Sequence, residues 1–193
     1  MLSYEESLAI LKETKALIDG HFILSSGLHS PRYVQCAQLL SKPDKACKIS
    51  NSLAEKIKSS FEKFDLILSP AMGGIIIGYE IGRILSKETI FSERVNGKFK
   101  LRRGFLLKKN SKVLIVEDVI TTGKSSLECS NLVTSAGAKL VGYACIIDRS
   151  NRRSAIKEKI VSQIELNIPT YTKDNLPKSL SSIESVKPGS RDL

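Results

Sequence analysis

Apolar positions recur along this chain with two different periods, and the switches between them mark its elements. Tyr4, Leu8, Leu11 and Ile18 follow helical spacing behind Ser3-Tyr4-Glu5-Glu6, which reads as a capping box. A helix over 4–18 is predicted, ended by Gly20. His21 to Leu24 and Tyr33 to Ala37 read as short strands around the turn Ser25 to Pro31. Ala46, Ile49, Leu53, Ile57 and Phe61 mark a long helix over about 43–63. Leu66 to Ser69 is a buried strand running into Pro70-Ala71-Met72-Gly73-Gly74, and an isoleucine-rich helix follows to about Ser86. Thr89 to Ser92 reads as another strand. Val113 to Val116 are β-favouring and apolar throughout, the pattern of a strand covered on both faces. A helix to about Ala136 and strands over Leu140 to Ile147 and Val161 to Ile168 complete the series; the tail from Tyr171 holds at most one short helix. Strand–helix alternation from 66 to 147 predicts an α/β fold with a central, mostly parallel sheet flanked by helices. The first helix and two strands then form a small cap or edge element.

Composition narrows the class. At 193 residues the chain is long enough for one well-buried core and too short for two ordinary domains. One domain is expected over 1–193, with the cap from about 1–40 and the tail around a core of about 43–150. No apolar run approaches membrane-spanning length, and the first residues carry glutamates without an arginine cluster, so no membrane and no targeting segment is expected. Cys36, Cys47, Cys129 and Cys145 have no C-x-x-C spacing. Cys36 and Cys145 fall in predicted strands and Cys129 in a helix, where they read as small buried hydrophobes. A reduced, cytoplasmic protein without structural zinc is expected. The formal charge is +10, from 30 Lys and Arg against 20 acids. Such a surface concentrates anions, although lysines such as Lys56, Lys58 and Lys63 read as a solvated helix face.

Candidate chemistry concentrates in Val113 to Ser126. Glu117 and Asp118 end the apolar strand, then Val119 and Ile120 lead into Thr121, Thr122, Gly123, Lys124, Ser125 and Ser126, at the start of a helix. In an open α/β sheet, ligands bind beyond the carboxyl ends of strands. A helix amino terminus there offers unpaired N–H groups to a phosphate. Carboxylates beside that cradle would repel the phosphate, so they must serve donors elsewhere on the ligand, and paired sugar hydroxyls are the natural ones. The stretch asks for a phosphorylated ribose. Gly123-Lys124-Ser125 also imitates the end of a Walker A loop, but that motif needs a glycine where this chain has Asp118.

A second strand-to-helix turn, Ser69 to Gly74, carries paired glycines that let a backbone approach an anion closely. Two such cradles on one sheet edge fit a ligand with phosphates at both ends. Residues 94–103 carry five cations, Arg94, Lys98, Lys100, Arg102 and Arg103, around Gly97. The stretch reads as too polar and unpatterned to pack, which leaves a loop that closes over reacting phosphates or an exposed basic hairpin.

These segments together resemble the type I phosphoribosyltransferases, and among them the orotate phosphoribosyltransferases, over nearly the whole chain. Gly20 to Tyr33 is similar to that family's substrate-covering hood, Ser69 to Gly78 to its diphosphate loop and Glu117 to Ser125 to its phosphoribosyl site. Asp148-Arg149 resembles the strand end that carries the orotate-contacting arginine, and Val186 to Arg191 resembles the tail of one branch. The resemblance implies orotate and phosphoribosyl diphosphate as substrates, orotidine 5′-phosphate and diphosphate as products with inversion at C1, and a place in UMP biosynthesis. By it, Ala71, Met72, Gly73 and Gly74 hold diphosphate, and Val119 to Ser125 hold the 5′-phosphate. Glu117 and Asp118 hold the ribose hydroxyls. Ser25, Ser26, Gly27, Tyr33, Thr121 and Arg149 surround orotate, with Arg149 on its carboxylate. Mg²⁺ is implied as a cofactor carried by substrate oxygens and water, with no metal ligand from the protein directly. The family's loop reaches the neighbouring subunit's active site, which implies a homodimer.

The chain departs from the family pattern in places. Many relatives have lysines where it has Ser25 and Gly73, and their mobile loop has an Arg-Lys pair and a histidine. Here Arg94 precedes Val95, and no histidine follows. Arg94 and Lys98 match the loop's phosphate-binding cations by position, with Lys100 in place of the histidine. His21 and His29 read as structural. Two other functions fit parts of the pattern: a purine or uracil transferase, which has no use for Arg149, and a sensor of phosphoribosyl diphosphate that binds nucleic acid. The absence of a helix-turn-helix or RNA-binding module speaks against the sensor, and nucleic acid is not an expected partner.

Overall fold

The computed structural model describes residues 1–151 and 153–188. Gly189, Ser190 and Arg191, within the tail resemblance, lie outside them. Five apolar runs become neighbouring strands: β3 (Leu66–Pro70), β4 (Glu88–Val95), β6 (Lys112–Ile120), β7 (Lys139–Asp148) and β8 (Ile160–Glu165). With β5 (Lys98–Leu101) they form a six-stranded sheet in the order β5-β4-β3-β6-β7-β8. Every neighbouring pair runs parallel except β4 with β5. The expected mostly parallel α/β sheet is therefore present.

Side-chain alternation along the strands feeds two separate cores. Ile67, Leu114, Val116, Ala144 and Ile146 face one side, covered by α3 (Pro43–Ser60) and α4 (Gly73–Leu85), with α1 (Tyr4–Glu13) and α2 (Cys36–Leu40) beyond them. Leu66, Leu68, Val113, Ile115, Tyr143 and Cys145 face the other, covered by α5 (Lys124–Ser135). α4 comes unusually close to the sheet because Gly74, Gly78 and Gly82 turn one face to it; a Cβ on Gly78 would collide with Ser69, and one on Gly82 with Thr89.

The hood is a separate two-stranded antiparallel hairpin of β1 (Leu17–Ile23) and β2 (His29–Val34). The helix expected over 4–18 ends at Glu13. The Thr14 hydroxyl donates back to the Ile10 carbonyl at 2.8 Å, Lys15 turns left-handed, and Leu17 pairs with Val34 as the strand begins. The helical spacing of Ile18 was accidental: strand pairing decides its conformation. Cys36 starts α2 rather than lying in a strand. The buried rings of His21 and His29 share a 2.7 Å hydrogen bond, and His21 Nδ1 donates to the Ile183 carbonyl at 2.8 Å, tying hood to tail. Backbone bonds between Val186 and both His21 and Ile23 extend the same seam.

Residues 94–103 correct a second expectation. They are not an unpatterned loop but the hairpin alternative: the end of β4, a tight Asn96-Gly97 turn with both residues at positive φ, and β5, with Arg102 and Arg103 just beyond it. Lys98-Phe99-Lys100-Leu101 alternates with period two, and Phe99 is only 7% exposed in the core beneath α5. Two lysines in four residues masked a strand.

Candidate active site

The site is built where β6 outruns its neighbour. β3 pairs with β6 only through Ile115, whereas β6 continues along β7 to Ile120. Glu117 and Asp118 thus lie inside the strand rather than after it, and consecutive strand residues face opposite ways. Glu117 turns to the α5 side, where the buried Ser126 hydroxyl donates a short hydrogen bond to its Oε2. Asp118 turns to the α4 side, against the backbone of Gly73; a Cβ there would lie 2.6 Å from Asp118 Oδ2. That contact brings the first glycine turn and the acid pair into one site.

Burial dominates the electrostatics. It pushes the Glu117 carboxyl up to about 7, with Asp118 adding to the rise and Ser126 and Arg94 opposing it. Asp118 is also raised by burial, opposed by the backbone amides of Val119 and its own residue. Glu117 therefore changes charge near neutral pH.

Two helices start at this edge, and neither is capped by a side chain. Met72 precedes α4 and Gly123 precedes α5, and neither makes a side-chain capping bond. In their first turns the Ile75 N–H bonds the Met72 carbonyl at 3.2 Å and the Lys124 N–H the Thr122 hydroxyl at 3.4 Å, and the remaining N–H groups are left for an anion. α1 differs, since Ser3 and Glu6 satisfy one another's backbone amides there at 2.7 and 3.1 Å. Gly123 has φ 78°, and a side chain on it would meet Ile156 at 2.9 Å, so the segment after Arg149 packs over the Thr121–Ser125 turn. The Ala71–Met72 peptide is cis.

Arg149, at the end of β7, is fastened by its backbone N–H to the Ile120 carbonyl at 2.8 Å. Its side chain is partly buried, and its Nε has no hydrogen-bond partner among the described residues. Burial lowers its pKa, and no carboxylate of the described residues acts on it. A guanidinium desolvated without a counter-ion is costly, and such a group is set to receive an anion.

The hairpin arginine is the opposite case. Arg94 is held at 2.8 Å by Glu128, at 2.8 Å by the Gly97 carbonyl and at 3.5 Å by Ser125 Oγ, over the Phe99 ring. It therefore touches the phosphate turn of its own chain. Lys98 and Lys100 pair across the hairpin with Val95 and Glu93, on the face opposite to Arg94 and Phe99, and are exposed. The fold does not bring them to Arg94. Arg103 and Arg102 are engaged by Glu93 at 2.5 and 3.7 Å. In the hood, Ser25, Ser26 and Gly27 form an exposed tight turn closed by Leu24 and Leu28, and Tyr33 packs its ring on Phe22 at 5.6 Å. Sequence reading placed Ser126 in the hydroxyl-rich turn without giving it a role, and passed over Glu128. Ser126 carried a signal, since it shares the helical stripe of buried Cys129 and Val133, where an apolar residue is expected.

The phosphoribosyl transferase domain model matches residues 37–175, most of the chain and nearly all of this site. The chain belongs to the phosphoribosyltransferase family. A curated orotate phosphoribosyltransferase of Rhizorhabdus wittichii is 45% identical over 188 residues, covering 97% of this chain and 96% of that one. The crystal structure of orotate phosphoribosyltransferase from Aeropyrum pernix superposes with TM-score 0.69 at 24% identity, over 82% of this chain and 92% of that one. Adenine phosphoribosyltransferase from Thermoanaerobacter pseudethanolicus gives TM-score 0.62 at 17% identity, over 70% and 88%. The phosphoribosyltransferase fold thus accepts more than one base, and the base must be read from side chains.

Proposed function

We propose that this phosphoribosyltransferase transfers the phosphoribosyl group of 5-phospho-α-D-ribose 1-diphosphate to orotate. The products are orotidine 5′-phosphate and diphosphate, a step of UMP biosynthesis. The observation that carries the choice of base is Arg149, partly buried at a strand end with its Nε unpartnered among the described residues. Orotate is a carboxylated pyrimidine and supplies the missing anion through a bidentate fork. The high identity to the orotate enzyme of R. wittichii supports the same reading.

In this reading the first-turn amides of α5, with Thr121 to Ser125, hold the 5′-phosphate. The turn Ala71 to Gly74 holds diphosphate. Glu117 and Asp118 accept from the ribose hydroxyls and, when ionised, favour the positive charge that develops at C1 as diphosphate leaves. Thr121 and the hood turn Ser25 to Gly27 contact the base, with Tyr33 over its ring. Arg94 reaches the 5′-phosphate beside Ser125, whereas Lys98 and Lys100, exposed on the opposite face of the hairpin, would screen the leaving charge in the neighbouring subunit's site.

Mg²⁺ fits as an ion brought by the substrate. The described residues hold no group of three or more His, Cys, Asp or Glu side chains suited to a metal, and the two site carboxylates diverge to opposite faces of β6. Diphosphate oxygens, ribose oxygens and water would complete its shell, and it would neutralise leaving-group charge.

The enzyme acts in the cytoplasm as a homodimer; no described helix is long and apolar enough to cross a membrane. Met72, Ile76 and Tyr79 support the dimer, forming an apolar stripe along α4 that is 84%, 50% and 64% exposed. Light scattering on the protein and on Tyr79→Glu tests it, with loss of a dimer peak expected in the variant. The activity is tested by following orotate absorbance with phosphoribosyl diphosphate and Mg²⁺, against uracil and hypoxanthine. Consumption of orotate alone is expected; turnover of another base in its place would refute the assignment.

A further inference from the structure

Serine and threonine inside helices normally bond back to a carbonyl of the preceding turn. In α5, Ser130 does so to Leu127 at 3.0 Å and Thr134 to Ser130 at 3.2 Å. Ser126 does not. Fully buried in the first turn, it sends its hydroxyl out of the helix to Glu117 Oε2. It is the one hydrogen-bond donor that the described residues give this carboxylate. The other ionisable groups acting on Glu117 are Asp118 on the same strand, Arg94 on β4, Cys129 on α5 and Cys145 on β7. Two of these are thiols whose ionisation burial suppresses, and one is a second carboxylate. Arg94, the only cation among the described residues acting on it, is engaged by Glu128.

We infer that Ser126 is a positioning residue for the reaction: its hydroxyl fixes the Glu117 carboxylate at the ribose side of the site and keeps it ionised for catalysis. This rests on the proposed transferase reading. A bond from a hydroxyl favours the charged form of the acceptor, so without it burial drives Glu117 towards its neutral form. A neutral Glu117 cannot favour positive charge at C1, and its freed side chain would no longer be aimed at the sugar.

The test uses protein carrying ¹³C at the glutamate carboxyls, with the Glu117 signal identified by its loss in Glu117→Gln. Titration without ligand is compared for the wild type, Ser126→Ala and Ser126→Thr. The wild-type midpoint is expected near 7. In Ser126→Ala it should rise by about one unit or more, while Ser126→Thr, which keeps the donor, should stay near the wild type. The kcat of Ser126→Ala with orotate should fall most below neutral pH and recover as the pH is raised, with a smaller change in KM for phosphoribosyl diphosphate. An unmoved midpoint, a loss of activity equal at all pH, or failure of both variants to fold would overturn the proposal, the last by assigning the hydroxyl to structure alone. The titration needs no turnover. A shifted midpoint in a protein that does not use orotate would refute the substrate reading and leave the Ser126–Glu117 coupling standing.

Discussion

The β4–β5 hairpin and the β6–β7 strand ends each gather arginine and carboxylate side chains at one edge of the same sheet, but they handle charge oppositely. In the hairpin every arginine has found a carboxylate: Arg94 with Glu128, and Arg102 and Arg103 with Glu93. At the strand ends, among the described residues, Arg149 has no carboxylate, and Glu117 and Asp118 have no cation bound to them. Surface pairs of the first kind contribute little, because solvent screens them. Charges of the second kind oppose folding, and a chain keeps them where a ligand will complete them. Charge satisfaction separates the site from its surroundings better than charge density does.

The sharpest way to break this contrast is to neutralise the acid pair. Glu117→Gln with Asp118→Asn should lower kcat/KM by about 10³-fold, because the stabilisation at C1 is lost. The same change should stabilise the empty protein above neutral pH. Glu117 has a raised folded-state pKa, so its favourable contribution is complete below about pH 4.5, the ordinary glutamate value, and is lost as pH rises through about 7. Removing the group abolishes that loss, worth roughly 3 kcal/mol at most, and thermal melts at pH 6 and 8.5 will read it. In the intact enzyme, kcat/KM should climb through about pH 7 as Glu117 ionises.

Next in size is Arg149. Replacement by alanine should cost about 10²-fold in kcat/KM for orotate, and lysine should restore little because it lacks the planar fork. Gly73→Ala comes third. Its Cβ would fall 2.6 Å from Asp118, so Asp118 or the turn must move, and KM for phosphoribosyl diphosphate should rise by roughly tenfold. The smallest effects belong to the hairpin. Glu128→Ala should change stability by less than about 1 kcal/mol, and it should not weaken phosphoribosyl diphosphate binding, since it frees Arg94. A large stability loss there would show that the hairpin's charges are as deeply committed as those of the site, and the contrast would fail.

Much of this was legible in the sequence. The apolar runs at Leu66 to Leu68, Val113 to Val116 and Leu140 to Ile147 located the parallel strands, because strands covered on both faces have no polar positions to confuse them. Glycine and hydroxyl residues behind two of those runs located both turns. The hairpin was legible only as the second of two readings, because Lys98 and Lys100 outweighed Phe99 and Leu101 in a stretch whose period was too short to stand out. The start of β1 was hidden because Ile18 fits a helical and a strand spacing equally. Arg149 was visible as a residue, but its lack of a partner is a property of the fold. So is the reach of Ser126 to a strand nine residues earlier.

The most direct measurement is a cycle of two changes, one on each molecule: kcat/KM for orotate and for uracil, each with the wild type and with Arg149→Ala. If Arg149 exists to receive the carboxylate, the wild type will favour orotate by about 10²-fold or more. Arg149→Ala will erase that preference while leaving the feeble uracil rate unchanged. Equal losses for both bases, or an orotate preference that survives in the variant, would contradict the account.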